Sequence, residues 1–346
     1  MMNRTDLLGM TTEELKAFAV ELGEKPFRGK QLFKWISRGV RDFNMMTDFS
    51  LRFRSSLCEC ARVGSMEIIK TQVDKSDGTM KFLFGLEDGN AVEGVFMKYK
   101  YGNSMCISSQ VGCRMGCAFC ASGLDGLIRN LTAGEMLDQI LLAEEAAGSP
   151  INHLVIMGTG EPFDNYDNLS RFLRIIHDEK GRNLSFRNIT VSTSGIVPAI
   201  EKFGAEFPQV NLAISLHRLT DEGRSMLMPV NRAYPLEQLL KAAGEHARIT
   251  GRRVTFEYAL IKGENDSDED VNLIIRKLRG IMCHVNLIPL NAVKETGFDS
   301  SGRKRAAEIA KTLENNGIAC TVRRELGAGI DGACGQLRLK TGAKNG

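Results

Sequence analysis

The pattern of apolar and polar positions divides the 346-residue chain near residue 60. Before that point, TTEELKAFAVELG opens with a Thr-x-x-Glu capping pattern, and FRGKQLFKWISRG places its apolar side chains near one face. Both features are typical of short amphipathic helices. We therefore predict a small N-terminal helical domain over residues 1–62.

The next segment has the shorter period of β-structure. MEIIKTQV, TMKFLFGL and AVEGVFMKY are separated by the turn-rich sequences DKSDG and EDGN. Runs of this length that are bounded by such turns predict strands joined by hairpins. We expect a short linker, rich in β-hairpins, over residues 63–98.

From residue 99 onward, strand-like and helical segments alternate through six units. The strands lack strict polar alternation, as is typical when both faces of a parallel sheet are covered. A closed eightfold barrel would need more units. The pattern therefore predicts an α/β fold, a partial (β/α)6 barrel over residues 99–330, with a C-terminal tail over residues 331–346.

Polar and special residues follow five of the predicted strands. Because the carboxyl ends of parallel strands meet at one edge of a sheet, we expect these residues to share a site. The five groups are Cys113 to Cys120, Gly158 to Pro162, Ser192 to Gly195, Ser215 to His217, and Asn291.

Composition adds limits to this picture. The chain is 43% hydrophobic and 25% charged, which is typical of a globular protein. No apolar run approaches the roughly 20 residues of a membrane span, and the N-terminus carries polar residues where a signal peptide would have an apolar core. We expect a cytoplasmic protein that does not associate with a membrane.

The distribution of charge is more informative than the net charge of +3. Between Lys25 and Arg54 there are eight Lys or Arg residues and two acids, and from Ser301 to the end there are nine and four. Clustered cations attract a phosphate backbone through the release of counterions. Charge alone is consistent both with nucleic-acid binding and with two solvated basic faces.

Nine cysteines, an odd number, do not favour a disulfide framework. Cys113, Cys117 and Cys120 form a C-x3-C-x2-C cluster. Three thiolates on a four-iron cluster would leave one iron without a protein ligand, and an open position of this kind is where a metal site does chemistry. A zinc site is the alternative, and it would need a fourth ligand such as Cys106.

The cysteine spacing, with Phe119 before the last cysteine and a strand before the first, resembles the radical S-adenosylmethionine (SAM) superfamily. Longer motifs together resemble the RlmN/Cfr family of RNA adenine methyltransferases from about Glu93 to Leu337. These motifs are CISSQVGCRMGCAFCASG, RNLTAGE, GTGEP, STSGIVPAI, NLAISLH, LMPVNRAYPLEQLL, GRRVTFEYAL, HVNLIPLN and DGACGQL.

The resemblance implies the cofactors and their residues. Cys113, Cys117 and Cys120 would hold one [4Fe-4S] cluster, and two molecules of SAM would be used per turnover. The residues at SAM-contacting positions of the family motifs are Gly160, Glu161, Ser192, Ser215, Leu216, His217 and Asn291.

The resemblance also implies a covalent mechanism. By motif position, Cys334 would receive a methyl group and become S-methylcysteine, Cys106 would resolve the later protein–RNA link by forming a disulfide, and Glu93 would accept a proton. Four cysteines match no catalytic motif, and we interpret them as structural: Cys58, Cys60, Cys283 and Cys320.

The implied reaction is methylation of C2 of an adenosine in the peptidyl-transferase region of 23S rRNA, and of the adenosine 3′ of the anticodon in tRNA. A flavodoxin or a ferredoxin-type protein would donate electrons, and we expect a monomer. Methylation of C8 of the same rRNA adenosine, as in Cfr, is a competing hypothesis, although Pro162 and NLIPLN resemble RlmN more closely. A non-catalytic iron–sulfur RNA-binding assembly factor and a radical SAM enzyme that acts on a small molecule are two more hypotheses.

Overall fold

The N-terminal part, described from residue 4, consists of three α-helices, one short 3-10 helix and two short strands. A computed structural model describes residues 4–290, 297–324, 326–327 and 329–330. In the N-terminal part, β1 and β2 pair in parallel, and the apolar faces of the helices are buried. The elements are β1 (Thr5–Asp6), α1 (Thr12–Glu21), α2 (Phe27–Ser37), α3 (Leu51–Cys60) and β2 (Ala61–Arg62).

The predicted capping pattern forms at the start of α1. The Thr11 side chain accepts the backbone N–H of Glu14 at 3.3 Å, and the Glu14 carboxylate accepts the backbone N–H of Thr11 at 2.7 Å. This reciprocal arrangement satisfies N–H groups that have no partner within the helix. The local sequence therefore fixes where α1 begins.

In the described part of the chain twelve further strands follow, and all except the short pair β7 and β8 belong to one sheet. They are β3 (Glu67–Val73), β4 (Met80–Gly85), β5 (Ala91–Tyr99), β6 (Gly102–Ile107), β7 (Gln110–Gly112), β8 (Leu127–Asn130), β9 (His153–Ile156), β10 (Ile189–Thr193), β11 (Asn211–Ser215), β12 (Val254–Leu260), β13 (Cys283–Pro289) and β14 (Ala319–Val322).

Helices alternate with the parallel strands, and their apolar faces join the core beside the sheet. None of the helices in the described ranges is both long enough and apolar enough to span a bilayer. The helices are α4 (Ala133–Ala147), α5 (Tyr166–His177), α6 (Val197–Glu206), α7 (Asp221–Leu227), α8 (Leu236–Thr250), α9 (Asp268–Leu278) and α10 (Gly302–Asn315).

The sheet has the order β3-β4-β5-β6-β9-β10-β11-β12-β13-β14. From β6 to β14 every neighbouring pair is parallel, which confirms the predicted α/β partial barrel. The strands of the expected linker are not isolated hairpins, because β5 pairs antiparallel with β6. β3, β4 and β5 thus continue the barrel sheet beyond its first parallel strand, and we call these three strands the antiparallel extension.

Asp138 joins the N-terminal part to the barrel. It lies on α4, is 1% exposed, and accepts the backbone N–H groups of Ser65 at 3.1 Å and Met66 at 3.0 Å. Its carboxylate also forms an ion pair with Arg41. One buried side chain therefore satisfies two amides and one cation from the preceding segment.

We expect Asp138→Ala to lower the free energy of unfolding by about 3 kcal/mol, because it leaves buried donors and a partly buried cation without their acceptor. Urea unfolding measures this loss. Asp88→Ala is the matched control, since the pair of Asp88 with Arg129 is more exposed and should contribute less than about 1 kcal/mol. Equal losses in the two variants would contradict this account of the joint.

Candidate active site

A cavity of about 640 Å³ opens at the carboxyl ends of the parallel strands. Most of the residues singled out in the sequence line it. They are Glu93, Cys106, Cys113, Cys117, Cys120, Gly160, Glu161, Ser192, Ser215 and His217.

Leu216 is placed differently from the other predicted site residues that the structure describes. The side chain of Leu216 is fully buried in the hydrophobic core, and its backbone N–H donates to the carbonyl oxygen of Glu257 at 2.9 Å. Leu216 therefore stabilises the end of β11 through its packing in the core and its backbone hydrogen bond. Asn291 and Cys334 lie outside the described residues.

The cysteine segment is carried on the short hairpin of β7 and β8. Gly112, at the end of β7, has a φ of +73°, and a Cβ there would overlap the carbonyl oxygen of Gly126. That same oxygen accepts the backbone N–H of Cys113 at 2.9 Å. Glycine is thus required at position 112, because the hairpin closes directly against it.

Three thiols face the cavity from this loop. Burial raises the pKa of Cys113 to about 12, and it raises the pKa of Cys117 as well. Within the described ranges, no three His, Cys, Asp or Glu side chains converge on a single metal ion, but a four-iron cluster needs each cysteine to bind a different iron. The donor set is the one that iron–sulfur clusters use, and buried thiolates need the positive charge that iron supplies.

Glu161 links the loops that follow β9 and β10. It is 3% exposed, and its carboxylate accepts the backbone N–H groups of Phe163 at 3.0 Å and Ser194 at 2.6 Å. Its own N–H donates to Oε1 of Gln110 at 2.8 Å. Burial raises the pKa of Glu161, and the two N–H donors oppose that rise. The acid is therefore held in one orientation at the cavity wall.

Gly160, next to Glu161, lies very close to Gln110. Its φ is +108°, and a Cβ at this position would lie 2.6 Å from the Cβ of Gln110. Any side chain would have to displace the residue that holds Glu161. Glycine at position 160 therefore allows Gln110, and with it Glu161, to keep this arrangement.

His217 follows β11 and is buried with a φ of +53°. Its Nδ1 accepts the backbone N–H of Ala259 at 2.9 Å, so the neutral ring carries its proton on Nε2. The ring packs edge-to-face on Phe119 with 4.8 Å between centroids. Burial lowers the pKa of His217 to about 3. The imidazole is therefore a neutral hydrogen-bond donor beside the cysteine loop.

The segment after β14 also reaches the cavity, through Arg323, Arg324 and Leu326. The antiparallel extension holds this segment. In the turn between β3 and β4, Asp77 accepts the N–H of Gly327 at 2.9 Å, and Asp74 accepts the N–H of Gly329 at 2.8 Å. Gly327 and Gly329, which precede the C-terminal tail, are thus held by a turn that lies far away in the sequence.

Comparison with known proteins identifies the chain. Residues 107–274 match the radical SAM superfamily, and residues 5–63 match the ribosomal RNA large subunit methyltransferase N-terminal domain. A protein of Caldanaerobacter subterraneus subsp. tengcongensis described as a probable dual-specificity RNA methyltransferase RlmN is 51% identical over 97% of this chain and 98% of its own length. The chain belongs to the RlmN family of radical SAM RNA methyltransferases.

Two further relatives agree with this assignment. A protein of Alkaliphilus oremlandii with the same description is 49% identical over 98% of this chain and 99% of its own length. The crystal structure of a radical SAM methyltransferase from Sphaerobacter thermophilus superposes with a TM-score of 0.91 at 43% identity, covering 96% of this chain and 98% of that one. The predicted RlmN/Cfr family resemblance is confirmed on the RlmN side.

Membership of this family confirms RNA as the substrate class and methyl transfer as the reaction. Membership of the radical SAM superfamily implies a 4Fe–4S cluster and SAM as cofactors. The donor set of the cavity fits both, since it offers three thiols and, beside them, a fixed carboxylate for an ammonium group.

Arg224 on α7 is a buried residue of this RlmN family member that the sequence did not indicate. Its Nη2 donates to the carbonyl oxygens of Ser194 at 2.7 Å and Ser215 at 3.0 Å, and its Nε donates to that of Leu216 at 3.3 Å. Burial lowers the pKa of Arg224 to about 10. A charged residue in the polar run TDEGR predicts solvent exposure, so no local signal could have found it.

We expect Arg224→Lys to lower the free energy of unfolding by at least about 2 kcal/mol, because an ammonium group cannot reproduce the planar fork that joins these carbonyls. Chemical denaturation measures the change. Arg248→Lys on α8 is the matched control, since Arg248 is largely exposed and its pair with Glu245 should contribute under about 1 kcal/mol. The same loss at both positions would sink this interpretation of Arg224.

Proposed function

We propose that this enzyme methylates C2 of an adenosine in the peptidyl-transferase region of 23S rRNA and C2 of the adenosine 3′ of the anticodon in tRNA. The observation that supports this most is that one cavity gathers three cysteines, the Gly160–Glu161 segment, and the thiol of Cys106 with the carboxylate of Glu93. The description of the relatives as dual-specificity RNA methyltransferases supports two RNA substrates.

The chemistry of adenine supports a radical route. C2 lies between two ring nitrogens and is electron-poor, so it has no electron pair with which to attack the methyl group of SAM. A polar transfer would fail at this atom, and a cofactor has to supply the harder chemistry while the protein binds and shields it.

The cavity residues divide into two groups by their chemistry. Cys113, Cys117 and Cys120 would ligate the cluster, which, when bound, supplies one electron to SAM. The carboxylate of Glu161 would bind the ammonium group of SAM while it keeps its two backbone donors, since a carboxylate has about four acceptor positions.

Further contacts to SAM would come from hydrogen-bonding groups at the strand ends. The hydroxyls of Ser192 and Ser215 and the Nε2–H of His217 line the cavity, and Gly160 lets the backbone approach the ligand. Leu216 would act only through its backbone and its packing. Asn291, which belongs to the same proposed set, lies outside the described residues.

Two thiols and one carboxylate would carry out the covalent steps. The sulfur of Cys334 would accept the methyl group from one SAM. A second SAM would supply the radical that removes one hydrogen atom from that methyl group, so that its carbon can bond to the ring carbon of the RNA. Glu93 would then take the proton from the ring carbon, and the remaining unpaired electron would return to the cluster. The Cys106 thiolate would attack the sulfur of Cys334, which breaks the bond from that sulfur to the methylene carbon; the two sulfurs form a disulfide, and the carbon takes up a proton to become the methyl group of the released RNA.

Cys106 needs activation for this step. Burial raises the pKa of its thiol, and the positive charges of Arg323 and Lys81 oppose the rise. Cations beside a thiol favour the thiolate, which is the attacking form. The pKa of Cys106 nevertheless stays above its ordinary value, because burial is the largest effect, so the two cations activate the thiol only in part.

We expect the enzyme, reconstituted anaerobically with iron and sulfide and given SAM and a reductant, to form 2-methyladenosine in separate 23S rRNA-fragment and tRNA transcripts. Mass spectrometry of the digested nucleosides identifies the product. Cys334→Ala should abolish it, whereas Cys58→Ala, a cysteine on α3, should not. Formation of 8-methyladenosine would move the assignment to the Cfr-type reaction. Cleavage of SAM without a methylated nucleoside in either transcript would remove the proposed substrates.

We expect Gly160→Ala to weaken SAM binding at least about tenfold, because the added Cβ displaces Gln110 and with it the orientation of Glu161. Equilibrium binding of SAM to the reconstituted protein measures the change. Gly251→Ala is the matched control, since Gly251 has a similar positive φ, +66°, but open space around its Cα. Unchanged binding in Gly160→Ala would contradict the proposed position of SAM.

A further inference from the structure

Lys81 is a fully buried cation in the antiparallel extension. It lies on β4, its side chain is 0% exposed, and its sequence neighbours Met80 and Phe82 are apolar. Lysine is almost never buried completely unless it is paired. Neither of the two matched family regions, residues 5–63 and 107–274, includes this position.

The partner of Lys81 is Glu93 on β5. Its Oε2 lies 2.9 Å from Nζ of Lys81, and its side chain is 3% exposed. In the antiparallel register, Lys81 is opposite Val95 and Glu93 is opposite Leu83. The two charged residues are therefore diagonal neighbours on one face of the sheet, and Glu93 and Val95 show that this face borders the cavity.

The main chain of Glu93 is fixed as well. Its carbonyl oxygen accepts the hydroxyl of Ser108 at 2.7 Å, and the same hydroxyl accepts the backbone N–H of Thr159 at 2.9 Å. The backbone of Ser108 is in turn held by the side-chain amide of Gln139, at 2.9 Å and 3.0 Å. One buried serine thus ties Glu93 to the loop that carries Gly160.

An ion pair in this position has a chemical consequence. Burial disfavours the charged form of a carboxyl group, whereas a cation in contact with it favours that form. A general base must be ionised and correctly aimed before it can take a proton. Replacing both charges with apolar groups would often cost no stability, so a buried pair at a cavity wall points to a role other than stability.

We propose that Lys81 is a positioning residue that holds the carboxylate of Glu93 aimed into the cavity for proton transfer from RNA. This inference rests on the proposed function of Glu93 as the proton acceptor. Lys81 itself does not touch the substrate, and it acts only through Glu93. Methylation of Cys334 does not involve the proton of the RNA, so it should not depend on Lys81.

The test is a double-mutant cycle with Lys81→Met, Glu93→Gln and the double variant. We expect each single variant to lower the rate of RNA methylation about 100-fold, the scale of general base catalysis, and the double variant to be no slower than Glu93→Gln. In the absence of RNA, all three variants should methylate Cys334 as the wild type does, which mass spectrometry of the intact protein measures. Lys98→Met, an exposed lysine on β5, is the matched control and should be fully active.

A second measurement does not require the loaded enzyme. In urea unfolding of the cluster-free protein, each single variant should lower the midpoint, because it removes one charge of a buried ion pair and keeps the other, and the double variant should recover much of the loss. Additive shifts of the midpoint would show that the two side chains are not coupled and would overturn the proposal.

The remaining outcomes are also decisive. An Lys81→Met enzyme with wild-type RNA methylation beside a defective Glu93→Gln enzyme would overturn this inference and leave the role of Glu93 intact. A fully active Glu93→Gln enzyme would remove the proposed proton acceptor, and this inference with it. Parallel losses of Cys334 methylation and RNA methylation in Lys81→Met would assign Lys81 a structural role only.

Lys81→Arg, which keeps the cation, should stay within about tenfold of the wild-type rate of RNA methylation. A loss as large as that of Lys81→Met would overturn the proposal.

Discussion

The active-site face depends on hydrogen bonds between two buried charged residues and the backbone groups at the ends of parallel strands. Glu161 accepts an N–H from the loop after β10, and Arg224 donates to carbonyl oxygens at the ends of β10 and β11. Strand ends expose unpaired backbone groups, and a buried group without a partner costs as much as a lost hydrogen bond. Side chains that satisfy these groups leave the loops with a single arrangement. The positions of the Ser192 and Ser215 hydroxyls and of His217 follow from that arrangement.

The antiparallel extension forms one wall of the cavity, through residues of β5. β5 pairs with the first parallel strand, so Glu93 and Cys106 lie on adjacent strands. The turn between β3 and β4 holds the segment that leads toward the C-terminal tail through Asp74 and Asp77. A partial barrel leaves an open edge, and in this protein the extension is joined to that edge and contributes charged side chains to the site.

Burial shifts the pKa values of the ionisable groups that line the cavity. Burial raises the pKa of the thiols of Cys106 and Cys113, and it lowers that of His217. Thiolates in such a place depend on neighbouring cations, whether from side chains or from iron. Perturbed groups of this kind collect at functional sites because the environment that shifts them also excludes solvent.

Local sequence determined a large part of this protein. The Thr11 and Glu14 capping pair, the alternation of strands and helices, and the C-x3-C-x2-C spacing each depend on residues close together in the chain, so the sequence alone predicts α1, the partial barrel and the cysteine loop. Only the tertiary structure decided that β5 pairs with β6, that Lys81 is buried against Glu93, and that Arg224 reaches the strand ends. Periodicity shows which element forms and which of its faces is apolar, but it does not show which edges meet. The charge of a lysine or an arginine predicts exposure, and only the fold brings close the distant carboxylate or carbonyl oxygens that accept its hydrogen bonds when it is buried.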